Sequence, residues 1–82
     1  MSEAMLKRLR WRTRRGTREL DVLFGGWLDA HAADAGDMTL QSFDTLLDVQ
    51  DPELWDWVMG HARAPRADWQ AIIDEIRARH RL

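Results

Sequence analysis

Between Trp11 and Asp21 the chain reads Trp-Arg-Thr-Arg-Arg-Gly-Thr-Arg-Glu-Leu-Asp, which places Trp11, Arg14, Arg15, Arg18 and Glu19 around Gly16. Guanidinium groups grip carboxylates and phosphates through paired N–H donors and stack on aromatic faces. An indole supplies apolar area at little entropic cost. The chemistry on offer is therefore recognition. The string Arg15-Gly16-x-x-Glu19 has two readings. Arg15 at the end of one helix and Glu19 in the first turn of the next would complement the helix dipoles and form a surface ion pair worth roughly 0–1 kcal/mol. Alternatively the string is displayed to a partner. Residue types alone leave both open.

Bond-making chemistry finds less support. His31, His61 and His80 lie far apart without metal-ligand spacing, and the chain has no cysteine, so disulfides, thiolate zinc sites and a cysteine nucleophile are excluded. Ser42 has no motif around it, and no carboxylate pair stands out. Gly25-Gly26 lacks the preceding strand and Gly-x-Gly-x-x-Gly spacing of a dinucleotide fingerprint. In a chain of 82 residues there is little room for an enclosed active-site cavity.

The net charge of −2 conceals three blocks. Residues 1–18 carry Lys7 and six arginines against Glu3, a net of +6. Residues 19–60 carry ten carboxylates and no Lys or Arg, and residues 61–82 return to +2. This asymmetry produces either a polarised surface that orients a partner or neutralisation of one block by another within the fold. A pI near 5.8 argues against a broad phosphate footprint, hence against nucleic-acid binding. No apolar run reaches the ~20 residues of a membrane span, and no signal-peptide core is present.

The elements that must position these residues are helical, because apolar residues recur at helical spacing and nowhere alternate for long. The first helix is expected over about Glu3–Arg15, with Gly16 as its C-terminal cap at positive φ. Thr17 then caps a second helix running to near Ala33, with Leu20, Leu23, Phe24, Trp27, Leu28 and His31 as the cleanest core stripe. Gly25 and Gly26 in that stripe mark a close helix contact or a bend. A third helix opens at Thr39 with Leu40, Phe43, Leu46 and Leu47 inward. Asp51 as N-cap and Pro52 at the first position start a fourth, Pro52 to about His61. Asp68 caps a fifth, bearing Trp69, Ile72, Ile73 and Ile76, with Arg77, Arg79 and Arg81 at its negative end. On a wheel of the first helix, Leu6, Leu9 and Thr13 form the core seam. Trp11 falls almost opposite and is expected to be exposed, with Arg8 and Arg14 flanking it and Arg15 within reach for cation–π stacking. The expectation is an all-α, compact five-helix bundle, a single domain over residues 1–82.

With these residues in hand, the chain resembles the SdhE (formerly YgfY) family of FAD-assembly factors. One block is Trp11 followed by Arg14-Arg15-Gly16-x-Arg18-Glu19-Leu20-Asp21; the second is Asp51-Pro52-Glu53-Leu54-Trp55-x-Trp57-Val58-Met59-x-His61. Trp55, where the family more often has phenylalanine, and Gly25-Gly26 depart from the pattern. The resemblance implies a five-helix chaperone that is not an enzyme. It would bind the flavoprotein subunit of succinate dehydrogenase or fumarate reductase and promote covalent FAD attachment, with no cofactor of its own. By the same resemblance Arg15, Gly16 and Glu19 are the functional motif, with Trp11, Arg8, Arg14 and Arg18 as flanking partner-binding candidates. The expected setting is a cytoplasmic monomer that neither binds nucleic acid nor inserts into a membrane. The competing readings are an antitoxin-like protein that neutralises a membrane-associated toxin, an older annotation attached to the family, and a small nucleic-acid binder.

Overall fold

The apolar stripe of the second helix is the centre of the core: Leu20, Leu23, Phe24, Trp27 and Leu28 are all buried. The computed structural model describes residues 3–82, which form five helices: α1 (Glu3–Arg12), α2 (Arg18–His31), α3 (Asp37–Leu46), α4 (Asp51–Val58) and α5 (Ala67–His80). No strand occurs among the described residues. Around α2 the core takes Leu9 from α1, Leu40, Phe43 and Leu46 from α3, Leu54, Trp57 and Val58 from α4, and Ile72, Ile73 and Ile76 from α5. Each of α2–α5 supplies residues three or four apart, so one stripe of each faces the others. Phe43 stacks on Trp27 with centroids 4.5 Å apart, and Phe24 lies 6.2 Å from Phe43. Truncating such a ring costs about 3–5 kcal/mol, which makes this aromatic triplet the hinge of the packing. The all-α bundle expected from the periodicity is therefore the fold observed.

Helix α2 runs unbroken through Gly25 and Gly26, so the pair is no bend, and the neighbours it faces lie at ordinary packing distance. A methyl on Gly25 would lie 3.9 Å from Thr13 Oγ1, and one on Gly26 would lie 3.6 Å from Arg79 Nε. The ends of α1 and α5 thus pass the same stretch of α2. His31 leaves the core stripe at the rim, half-buried; its ring stacks on Trp27 at 4.9 Å and its Nε2 lies 3.3 Å from Glu75 Oε2.

Several boundaries differ from expectation. α1 ends at Arg12, a turn before Arg15, where the buried Thr13 turns its hydroxyl to donate to the Arg10 carbonyl (2.7 Å). Gly16 consequently is no C-cap: the glycine with positive φ is Gly60, at 78°, which ends α4 sooner than the expected His61. α2 stops at His31. α3 begins at Asp37 behind Gly36 as N-cap, ahead of Thr39. Neither Asp51 nor Asp68 is an N-cap; Gln50 and Arg66 hold those positions, and both carboxylates are engaged by arginines instead. Thr17 does cap α2, its Oγ1 accepting from the Leu20 amide at 3.4 Å.

Candidate partner-binding site

The connector between α1 and α2 is held from two sides by carboxylates. The Arg15 amide donates to Asp21 Oδ1, one turn into α2, and the Gly16 amide donates to Asp51 Oδ2 at 3.1 Å. The Arg15 side chain runs inward along the same wall and is only 14% exposed. Its Nε–H donates to Asp51 Oδ1 (2.7 Å), while Nη1 and Nη2 donate to the carbonyls of Leu47 (2.5 Å) and Val49 (2.6 Å). Those carbonyls follow the C-terminus of α3, where the helix dipole is negative and the last C=O groups lack helical partners. Arg15 is therefore a cap for α3, supplied from the other half of the chain. The expected stacking of Arg15 on Trp11 does not occur, because its guanidinium is committed 32 to 36 residues away. Arg14 takes that place, with Cζ 5.7 Å from the indole centroid.

The remaining expected residues are displayed. Trp11 is 72% exposed, on the side of α1 away from Leu9, as the wheel requires. Arg14, Arg18 and Glu19 are exposed. Glu19 lines two shallow clefts. The first, about 400 Å³, is bounded by Thr17, Glu19 and Leu20 from the start of α2 and by Asp51, Pro52 and Trp55 from α4. The second, about 480 Å³, includes Arg18, Val22, Met59 and Leu82, and shares Glu19 and Trp55 with the first. Glu19 and Trp55, which is 37% exposed, thus stand together between two apolar hollows. In the sequence Pro52 marks a helix start and Trp55 belongs to the second motif block, with neither singled out as a site residue. The signal that would have found them is the pairing of the two motif blocks, which the fold brings to one corner.

The basic block proves to be neutralised within the fold more than displayed. Arg8 faces Asp44 at 3.2 Å, Arg10 pairs with Asp29, and Arg12 reaches Asp44 and Asp48 while donating to the Asp44 carbonyl at 2.9 Å. With Arg15 on Asp51, four of the arginines of residues 1–18 are matched by carboxylates of the acidic block. Arg8 keeps an exposed flank while so paired. Far from this corner, Asp68 at the start of α5 is gripped by Arg66 through two bonds of 3.0 and 2.6 Å. The Arg66 hydrogen bond, followed by one from Ser42, holds its pKa down from 3.8 to about 2. Among the described residues no group of three or more His, Cys, Asp or Glu is placed to hold a metal ion, and no helix is long and apolar enough to cross a membrane.

Fold and corner together define a small helical protein whose displayed groups suit recognition: an exposed indole under an arginine, and a carboxylate beside a second indole at an apolar cleft. Residues 7–80 match the sequence profile of the family described as flavinator of succinate dehydrogenase, and the chain belongs to that family. It is 44% identical over 75 residues to the FAD assembly factor SdhE of Xylella fastidiosa (strain 9a5c), covering 92% of this chain and 77% of the relative. To the FAD assembly factor SdhE of Shewanella oneidensis it is 39% identical over 74 residues, 90% of each chain. To that of Coxiella burnetii it is 34% identical over 70 residues, 85% of each.

Proposed function

We propose that this chain is an assembly factor that docks on the flavoprotein subunit of succinate dehydrogenase, or of the related fumarate reductase, and promotes covalent attachment of FAD to it. Family membership is the observation that carries this reading. FAD belongs to the partner, and the chain acts as a chaperone without catalytic groups of its own, as a cytoplasmic monomer and a single domain over residues 1–82. In this reading Trp11, Arg14, Arg18 and Glu19 meet the partner, with Arg8 at the edge, while Arg15 and Gly16 hold the corner that carries them.

The mechanism is positional. Attachment requires the flavin and the acceptor side chain of the partner to be held at reacting distance, and fixing that geometry removes an entropic barrier worth several kcal/mol, up to ~7–11 kcal/mol in well-oriented systems. A protein that binds the attachment-competent conformer more tightly than the open one raises its population by that difference in affinity. No proton or electron need pass through the factor itself. The rival nucleic-acid reading loses its main support, because Arg8, Arg10, Arg12 and Arg15 each face a carboxylate.

The test uses the purified apo-flavoprotein subunit, FAD and this chain, with covalent flavin read by its fluorescence in a denaturing gel. Glu19→Ala is expected to abolish the gain in flavinylation while shifting stability by no more than about 0.5 kcal/mol, because Glu19 is exposed. Full activity of Glu19→Ala, or a wild-type chain that does not bind the subunit, refutes the proposal.

A further inference from the structure

One carboxylate joins the two motif blocks. Asp51 is the first helical residue of α4 and does not cap its own helix; its Oδ1 accepts from Arg15 Nε–H and its Oδ2 from the Gly16 amide. The same residue forms a wall of the cleft that Glu19 and Trp55 line. The cleft therefore has two sides that come from distant parts of the chain, Thr17–Leu20 and Asp51–Trp55, and the Asp51 carboxylate ties one to the other. A methyl group on Gly16 would lie 3.4 Å from Asp51 Oδ2, so the carboxylate and the connector are in van der Waals contact as well as hydrogen-bonded.

We infer that Asp51 is a positioning residue for partner docking, which sets the spacing of the cleft and the direction in which Glu19 is presented. This rests on the reading of the chain as a flavoprotein-binding factor. Asp51→Asn is the informative change, because it keeps the shape of the side chain. It places an amide donor opposite one of the two donors, Arg15 Nε–H or the Gly16 amide, and removes the charge that holds the other. A residue that acts through Glu19 must also lose its effect when Glu19 is already silent, which a merely stabilising residue does not.

The experiment measures affinity for the apo-flavoprotein subunit in wild type, Asp51→Asn, Glu19→Gln and the double variant, with amide hydrogen exchange at Gly16 and along α5. The expected result is binding about tenfold weaker for Asp51→Asn, little further loss when that change is added to Glu19→Gln, and faster exchange at Gly16 with α5 unchanged. Arg66→Ala, which removes an exposed ion pair outside the cleft, serves as a control that keeps wild-type affinity. Wild-type affinity in Asp51→Asn, or losses that simply add in the double variant, overturns the inference while leaving the docking reading intact. A matching loss of affinity in Arg66→Ala also overturns it, since a change far from the cleft would then suffice. A wild-type chain without affinity for the subunit overturns the docking reading itself.

Discussion

Arg15 and Trp11 lie four residues apart and do opposite work. Arg15 makes three side-chain hydrogen bonds in a part-buried wall, one of them to a carboxylate. A lysine ammonium is a point charge on a flexible stem and cannot reproduce that fork. Arg15→Lys is therefore expected to lower stability by roughly 1.5–3 kcal/mol, the range for hydrogen bonds involving charged groups, as read by thermal or urea unfolding. Any loss of partner binding in that variant should follow its loss of stability. Trp11→Ala should behave the other way, with stability within about 0.5 kcal/mol of wild type and partner affinity reduced about tenfold or more. At this scale the sequence was legible in part. The wheel placed Trp11 correctly because exposure on a helix is a local, periodic property. It misplaced Arg15 because the partners of that side chain lie 32 to 36 residues away, where no spacing rule reaches.

Two helix C-termini in this protein are finished by arginines from elsewhere in the chain. Arg15 closes α3, and Arg77 of α5 donates from Nε to the Val58 carbonyl (2.9 Å) at the end of α4. Arg77 does lie in the last turn of its own helix, as the sequence predicts, and closes α4 as well, whereas Asp51 and Asp68, expected as N-caps, are held by arginines instead. The charge signs were right for a helix terminus, and the identity of the terminus depended on packing. The α4 end is tight: a methyl on Gly60, whose φ is 78°, would sit 2.7 Å from Arg77 Nη2. Gly60→Ala should cost about 1–2 kcal/mol from the left-handed backbone alone, and more if the guanidinium is pushed off Val58, as measured by chemical unfolding. The start of α5 has its own pH signature. Because the folded Asp68 carboxyl titrates near 2 against an ordinary 3.8, its contribution to stability is complete above pH 4 and is lost as pH falls toward 2. Arg66→Ala should flatten that part of the acid-unfolding curve and leave the neutral-pH slope as it was.

Across the whole molecule, the class of fold followed from the stripes of α2, α3 and α5, whose apolar residues are almost all in the core. The matching of the basic first block to the acidic middle one was one of two outcomes the composition allowed, and topology chose between them by laying α1 beside Asp44 and Asp48. That same topology sorts the five tryptophans by environment. Trp27 and Trp57 are buried, Trp69 is half-covered with its N–H on Thr45, and Trp11 and Trp55 are the exposed pair. Intrinsic emission of the free protein should thus be a blend of blue and red components. Capture by a partner should shift the red one alone, and Trp11→Phe should remove the part of that change that Trp11 reports, leaving the part from Trp55. The protein carries its own optical gauge of occupancy, readable without a label.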